Sequence, residues 1–457
     1  GYPSGSAGGQ VVNNHPEYEM RGLLRLSKTG KGKQNVKIHL PDTAEKFKYA
    51  VLYPKVNGEV KLNQGEMVPV SNSLVETSGR QGNWILTAFA RKVINKNTAA
   101  MHKAERFNVT GRYPNLLNEN AVEEFINLTH EKYANQIDNL GKKIDAFYFN
   151  EPALMTLFAN WSEAVRENGF AYIPWESDLV QKFEREHGYS LIPYLNSLYQ
   201  GNSQQDIVVR YHFYQTVSNK LAESFTGQLA QWCQKHQIAS GGHLFGEQWM
   251  PIHVVNYGDL MKILEKQQIP GCDIPIPESE NSWWNYWMPK FISSVAYLKN
   301  VDTVSALLDP IISRKNPIFT PPEDIFRHTI NMAFLVGINQ INTYLRWSQY
   351  QPAEYRKFNK YVGRLAVILR GASSDAKIGM YYPIETAQAD FKVTAKSSGS
   401  IIKDYNYLDH TQNRVSKNLL KSGYDFNYLN AKAIINSTIQ QDKLIVGEQE
   451  YKCVIMP

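Results

Sequence analysis

The sequence predicts an α/β protein built on a (β/α)8 barrel of the TIM type, with a small β insertion and a C-terminal α/β domain fragment. Between about residues 117 and 371, five strand-like segments each precede a helix-like one. Consecutive β-then-α units imply a parallel sheet, and at this length a barrel is favoured over an open doubly wound sheet. The 457 residues, 43% hydrophobic and 20% charged, suffice for a large core and exclude a disordered chain.

Three regions are predicted along the chain. Short alternating strands separated by turn signals such as Asn57-Gly58 predict the β-rich insertion. A strand at 378–382 followed by a helix at 411–420 predicts a partial α/β domain of the flavodoxin type. The predicted boundaries are residues 1–29 and 92–371 for the barrel, 30–91 for the insertion and 375–457 for the C-terminal domain.

The barrel strands are predicted from short apolar segments that end at Gly, Pro, Asn or Asp. The clearest helix covers residues 206–236, because Phe213, Val217 and Leu221 recur at i, i+4 spacing on one face, and Phe225 continues it. The predicted strands are residues 144–149, 238–243, 272–274, 303–308 and 338–345.

Composition excludes several classes of protein. Lys and Arg number 49 against 43 Asp and Glu, and the one dense basic segment, 28–37, is mixed with uncharged residues, so we expect no nucleic-acid partner. No apolar run reaches the ~18 residues of a membrane helix, so we expect no membrane span. Cys233, Cys272 and Cys453 lie far apart and predict buried thiols. The sequence begins at Gly1 without an initiating Met and looks truncated. The lack of a signal peptide in it therefore does not tell us the compartment.

Aromatic residues are the unusual feature of the composition, with 27 Tyr, 19 Phe and 9 Trp. Flat apolar rings with polar edges suit sugars, whose faces are apolar and whose rims carry hydroxyl groups. Trp283, Trp284, Tyr286 and Trp287 fall within five residues after the third predicted barrel strand. They predict a platform on which a sugar stacks or, alternatively, a satellite hydrophobic cluster.

The strand ends are where a barrel carries its chemistry, because the βα loops line the only concave mouth. The first predicted strand ends in Asn150-Glu151-Pro152 after an aromatic run. A carboxyl group among Phe and Tyr side chains should have a raised pKa, as a general acid requires, and Asn150 can bond a substrate hydroxyl. The alternative is that Glu151 caps the next helix.

Later strand ends offer further polar groups. The pair Gly241-Gly242 allows close backbone approach. After it, His243 supplies a hydrogen-bond donor, Glu247 a carboxylate and Trp249 a stacking face. The alternatives are a core histidine at His243, a loop salt bridge at Glu247 and, for Arg346, an ion pair within the barrel. The candidate residues at these strand ends are His243, Glu247, Trp249, Asp273, Glu280, Tyr344 and Arg346.

The order of these motifs resembles that of the bacterial glycoside hydrolases around family 106, the α-L-rhamnosidases, which have clan-A-like (β/α)8 barrels. The resemblance implies that the first barrel strand is missing and that Glu151 is the catalytic acid. It also implies a carbohydrate substrate, a periplasmic or extracellular location and no cofactor except a calcium ion in the cleft. The similar segments are residues 1–11, 147–152, Gly242 to Glu247, 270–274, 293–296 and 337–339.

One departure from the family affects the expected chemistry. In relatives, the strand after the Ser-Ser-x-Ala helix ends in the second catalytic Glu, and Ala306 stands where we expect that residue. Glycoside hydrolysis commonly needs two carboxylates, so Glu247, Glu280 or Asp309 takes the second role, or the site has lost its chemistry. Three hypotheses stand: an inverting enzyme that removes a terminal sugar from a polysaccharide or oligosaccharide, a retaining β-galactosidase-like enzyme, and a carbohydrate-binding protein without activity.

Overall fold

The computed structural model describes residues 6–94, 113–154, 172–276, 287–309, 311–312, 317–318, 321–345, 347–394, 396 and 398–457. They form a mixed α/β structure with an antiparallel sheet near the N-terminal end, a central parallel sheet covered by helices, and a C-terminal α/β region. Within these ranges, no helix is both long and apolar enough to cross a membrane.

Helix α1 (Ser6–Asn14) leads into an antiparallel sheet, in which the strands β1 and β7 pair over 11 residues. Residues 21–29, which the predicted boundaries assign to the barrel, thus lie in a strand of this sheet. Pairing with a strand some sixty residues later stabilises that strand. Strands β2 and β6 pair with each other in a separate two-stranded sheet. The strands of this region are β1 (Arg21–Lys31), β2 (Asn35–His39), β3 (Lys46–Val56), β4 (Glu59–Val60), β5 (Glu66–Met67), β6 (Leu74–Ser78) and β7 (Asn83–Val93).

The central sheet contains five parallel strands in the order β15-β12-β11-β10-β8. Each lies at or near a segment that the sequence predicted as a barrel strand. The short strand β9 joins the antiparallel sheet beside β1, and β13 pairs with β14. The strands are β8 (Ala146–Asn150), β9 (Tyr172–Trp175), β10 (Ala239–His243), β11 (Ile269–Pro275), β12 (Ser305–Asp309), β13 (Ile311–Ile312), β14 (Pro317–Ile318) and β15 (Gln340–Thr343).

Helices pack on the outer side of this sheet. The predicted long helix is present as α6, a π-helical turn (Ala222–Gly227) and α7, and its predicted apolar face is buried throughout. Ser203 and Asp206 cap its start reciprocally. The helices are α2 (Glu119–Leu128), α3 (His130–Gln136), α4 (Leu140–Lys143), α5 (Leu179–His187), α6 (Gln204–Leu221), α7 (Gln228–Lys235), α8 (Met250–Tyr257), α9 (Leu260–Leu264), α10 (Trp287–Lys299), α11 (Glu323–Leu335) and α12 (Pro352–Leu369).

The central sheet is curled into a half-barrel. The side-chain amide of Asn150, at the end of β8, donates a hydrogen bond of 2.6 Å to the hydroxyl of Tyr344, which follows β15. These strands occupy opposite edges of the five-stranded order, and four spacings of about 4.8 Å would separate them by about 19 Å in a flat sheet. Only a sheet that bends round on itself brings the two side chains into contact.

The C-terminal region has a parallel sheet in the order β17-β16-β21 and a small antiparallel sheet of β18, β19 and β20. Its first strand and longest helix lie at the predicted positions. Cys453 is exposed on β21, whereas Cys233 and Cys272 are buried free thiols as expected. The elements are β16 (Ile378–Tyr381), β17 (Phe426–Leu429), β18 (Thr438–Gln440), β19 (Lys443–Val446), β20 (Gln449–Tyr451), β21 (Cys453–Ile455), α13 (Ile384–Asp390), α14 (Ser398–Asp404), α15 (Asn406–Lys421) and α16 (Ala431–Ile435).

Candidate active site

Glu151 directly follows the end of β8, at the rim of the half-barrel. Side chains alternate along this strand, so Phe147 and Phe149 pack toward the helices while Tyr148 and Asn150 face the inside. Glu151 follows with a left-handed backbone, φ +54°, and its N–H donates to the carbonyl of the last residue of β10 at 3.0 Å. This conformation costs a non-Gly residue on the order of 1–3 kcal/mol, and it interrupts the alternation that would direct Glu151 toward the helices.

The neighbouring strand β10 approaches β8 closely because it is built from glycine. A Cβ atom on Gly242 would lie 2.3 Å from the carbonyl oxygen of Phe149, so no larger residue fits there. His243, the next residue, is buried, and its Nδ1 lies 3.0 Å from the hydroxyl of Tyr148. Burial and nearby acidic groups raise the pKa of Tyr148, which therefore keeps its proton and can donate to a ligand or to the imidazole.

Glu247 lies in the loop after β10 but is only 1% exposed. Its Oε1 accepts the N–H of Leu244 at 2.5 Å and its Oε2 accepts the N–H of Asp273 at 2.9 Å. Burial raises the pKa of Glu247 to about 8, against the opposing effect of these two bonds. Both carboxylate oxygens are thus occupied by backbone donors, so this side chain joins the loop after β10 to β11.

Three side chains from alternate strands form one layer at the mouth: Asn150 of β8, Asp273 of β11 and Tyr344 beyond β15. Partial burial raises the pKa of the Tyr344 hydroxyl, and the negative charges of Asp309 and Asp273 raise it further. Barrels place the inward side chains of alternate strands in common layers. The observed contacts follow that rule, and they bring two carboxylates close to one phenol.

The contact between Asn150 and Tyr344 implies an average stagger of about one residue at each step across the sheet. Following the ladder register from Asn150 across four steps leads to Gln340, yet Asn150 bonds to Tyr344, four residues further along. A barrel needs such a stagger to close, and one residue per strand is the value for eight strands with a shear of eight.

The same stagger identifies the residue of β12 that lies level with Glu151. Three strands away from β8, the ladder register pairs the position of Glu151 with Ala306 of β12. A stagger of one residue at each of the three steps shifts the level position to Asp309. Ala306 is 0% exposed and, with Leu308, belongs to the core between sheet and helices. The side chain of Ala306 therefore points away from the mouth, and Asp309 ends β12 on the inward face. That Ala306 occupies the position of the family's second catalytic Glu stays a prediction.

The remaining predicted site residues separate into three groups. Trp287 is 1% exposed and packs against His253 and Phe291, so the expected stacking surface at this position is a core ring instead. Trp249 is half-buried directly before α8, in the loop that contains Glu247. The residues that lie outside the described ranges are Glu280, Trp283, Trp284 and Arg346.

Tyr148 is the mouth residue that sequence reasoning missed. It lies between two phenylalanines, so the segment resembles one continuous apolar run. The two-residue period of a strand nevertheless places Tyr148 on the same face as Asn150. Among the described residues, no three His, Cys, Asp or Glu side chains form a group suited to a metal ion.

Comparison with known proteins identifies the family. A sequence model described as alpha-L-rhamnosidase, of glycoside hydrolase family 106, matches residues 81–457, and no curated protein matches the sequence. A solved rhamnosidase from Novosphingobium sp. PP1Y superimposes with a TM-score of 0.58 at 14% identity, covering 95% of this chain and 48% of that one. This chain thus spans about half the length of that rhamnosidase.

A weaker similarity is to the PgaB (BpsB) glycoside hydrolase domain from Bordetella bronchiseptica, with a TM-score of 0.34 at 11% identity, covering 58% of this chain and 66% of that one. The match at 14% identity supports the fold alone, whereas the family match covers well over half of the chain. This chain belongs to glycoside hydrolase family 106.

Proposed function

We propose that this chain is the catalytic part of a glycosidase that releases a terminal sugar, of the α-L-rhamnose class, from an oligosaccharide or polysaccharide. The observation that carries the proposal is Glu151, held in a left-handed conformation at the end of β8 beside the Asn150–Tyr344 hydrogen bond. Residues in strained conformations concentrate at functional sites. The family match and the curled parallel sheet support the same conclusion.

Glu151 would act as the general acid. Its carboxyl group, at the end of an apolar strand, would deliver a proton to the departing glycosidic oxygen. Asn150 and Tyr148 lie on the adjoining inner face and can bond sugar hydroxyls, with Trp249 as a stacking face at the edge. A water molecule that loses its proton to a second carboxylate would complete an inverting hydrolysis.

Asp273 and Asp309 are the carboxylates best suited to that second role. Both belong to inward positions of their strands, both are half-buried, and both act electrostatically on Tyr344. Glu247 is less suited, because its two oxygens are occupied by backbone N–H groups. A retaining enzyme would need the two carboxyl groups about 5–5.5 Å apart, whereas inversion needs about 6.5–9.5 Å.

The finer fold and the location belong to the same proposal. The average stagger of about one residue per strand supports an eight-stranded barrel that is incomplete at its N-terminal end in this chain and to which the described residues supply five strands. An enzyme that acts on polysaccharides works where they occur, so we also propose a periplasmic or extracellular location.

The test of the acid is Glu151→Gln, assayed on aryl α-L-rhamnosides, β-galactosides and β-glucuronides. We expect turnover of substrates with poor leaving groups to fall by about 10³-fold, because those need protonation. Dinitrophenyl glycosides should retain much more activity, since their leaving group departs without help. Glu119→Gln, an exposed glutamate at the start of α2, is the matched control and should leave turnover unchanged.

Unchanged turnover by Glu151→Gln would remove Glu151 from the mechanism. Absence of turnover by the parent protein on every substrate would favour the carbohydrate-binding hypothesis instead.

The second carboxylate is tested by Asp273→Asn and Asp309→Asn. We expect one of them to lower kcat by about 10³-fold for good and poor leaving groups alike, because attack by water is then impaired in both. The anomer released first, followed by proton NMR, reports inversion or retention. Equal, small effects of both changes would mean that neither residue activates the water.

A further inference from the structure

The C-terminal region contacts the loop after β10 through two of its side chains. The carboxylate of Asp409, on α15, accepts the backbone N–H of Met250 at 2.7 Å, and thereby caps the start of α8. The hydroxyl of Tyr382, directly after β16, lies 2.8 Å from Nδ1 of His253. Met250 and His253 both lie in the first turn of α8, immediately after the loop that contains Glu247 and Trp249.

The direction of the hydrogen bonds around His253 follows from the chemistry of its neighbours. Its Nε2 lies 2.7 Å from the backbone carbonyl of Glu247, which can only accept, so Nε2 carries the proton. Nδ1 then accepts from the hydroxyl of Tyr382. His253 is 0% exposed, and burial lowers its pKa to about 3, so the ring is neutral with one proton, as this arrangement requires.

The chain of contacts continues from Glu247 to the mouth of the half-barrel. The backbone carbonyl of Glu247 accepts a hydrogen bond from His253. The side chain of Glu247 accepts the N–H of Leu244 and the N–H of Asp273. Tyr382, His253 and Glu247 are each buried, so water does not compete for these bonds. A continuous hydrogen-bonded path therefore runs from the C-terminal region to Asp273 on the inner face of β11.

We propose that the C-terminal α/β region is a positioning element of the active site, which fixes the loop 244–249 and Asp273 through Tyr382 and Asp409. The inference rests on the proposed function only in naming that loop as part of an active site. Tyr382 and Asp409 are positioning residues, since neither reaches the mouth and both act through other groups. Small displacements of such a loop are costly to catalysis, because reacting groups must be held in a narrow range of geometry.

Other contacts dock the region on the barrel without approaching the loop. The buried ammonium group of Lys290 forms an ion pair of 2.6 Å with Asp425, whose carboxylate is exposed, and the side chain of Asn430 donates to Glu265 at 2.9 Å. These bonds should keep the region in place when Tyr382 or Asp409 is changed. They also supply a matched control, Glu265→Ala, which removes an interdomain hydrogen bond that lies away from the mouth.

The experiment compares Tyr382→Phe, Asp409→Ala and Glu265→Ala in the full chain, by hydrogen exchange and by steady-state kinetics on an aryl α-L-rhamnoside. Tyr382→Phe keeps the ring that packs on Phe291 and removes only the hydroxyl. We expect exchange of the peptide 244–250 to quicken about tenfold in the first two variants, and kcat to fall about tenfold with KM nearly unchanged. Asp409→Asn should restore both values, because Asn also caps helices well.

The outcomes separate the positioning inference from the proposed function. Unchanged exchange of 244–250 in Tyr382→Phe and Asp409→Ala would overturn the inference, whatever the activity. Exchange that quickens across the whole chain, or equally in Glu265→Ala, would also overturn it, because that is a general loss of stability. Quicker exchange confined to the loop, in a parent that cleaves no glycoside, would support the positioning and contradict the glycosidase.

Discussion

Two strand ends of the same sheet hold their glutamates in opposite ways. After β8, Glu151 is half-buried on a left-handed backbone, at the level of the inward-facing Asp309. After β10, Glu247 is completely enclosed, with each oxygen bonded to a backbone N–H. The first arrangement costs conformational energy at the rim of the half-barrel. In the second, the carboxylate is occupied by structural hydrogen bonds.

The difference shows that a raised pKa does not by itself identify a catalytic group. Burial raises the pKa of Glu247 to about 8, a value that suits a general acid, yet its oxygens are committed to holding β10 and β11 together. The backbone conformation and the pattern of bonds are more informative than the pKa.

The largest expected effect is on stability when each glutamate is replaced by alanine. Glu247→Ala leaves two buried backbone N–H groups without an acceptor and opens a cavity, so we expect a loss of about 3–5 kcal/mol. Glu151→Ala should change stability by less than about 1 kcal/mol, because the strained backbone persists in both proteins. Urea unfolding of the two variants beside the parent measures the difference, and equal losses would refute the contrast.

The next effect is a decline of stability above neutral pH. Burial raises the folded-state pKa of Glu247 to about 8 and those of Asp259 and Asp409 to about 7, so between pH 6.5 and 8 the unfolded chain has released protons that the folded one still holds. Stability therefore falls as pH rises through this window. Below pH 6.5, His253 and His130, whose pKa values burial lowers to about 3 and 4, act in the opposite direction.

Glu247→Gln isolates the contribution of one group to that decline. It should be less stable than the parent at pH 6.5, but its stability should fall less steeply up to pH 8, by about 1.4 kcal/mol per pH unit. Thermal unfolding at several pH values measures both slopes. Parallel slopes would mean that Glu247 is already ionised in the folded protein at neutral pH.

The parts of this fold that sequence could predict are those set by local patterns. The strand at β8 is a short apolar run, the apolar face of α6 recurs at helical spacing, and Gly242 signals a close approach that the structure contains. Glu151 could be placed at a strand end for the same reason, because the aromatic run stops directly before it.

The parts that sequence could not predict depend on distant partners. Strand β1 forms because β7 pairs with it, and the ring of Trp287 is buried because α10 packs against the C-terminal region. The two N–H groups that occupy Glu247 come from its own loop and from β11, so its role is invisible in the local sequence. The level of Asp309 relative to Glu151 likewise follows from the register and stagger of four neighbouring strands.

The smallest expected effect is a change in stability caused by the left-handed backbone at Glu151. Glu151→Gly should be about 0.5–1 kcal/mol more stable than Glu151→Ala, because glycine adopts a φ of +54° without steric cost and this gain exceeds its larger loss of chain entropy. Gln237, with φ +59° before the opposite end of β10, is the matched control site. Gln237→Gly should show the same gain over Gln237→Ala while leaving turnover intact, whereas both changes at Glu151 should abolish it. A gain at Gln237 without one at Glu151 would mean that the backbone there relaxes once the carboxylate is gone, and that the side chain itself maintains the left-handed turn.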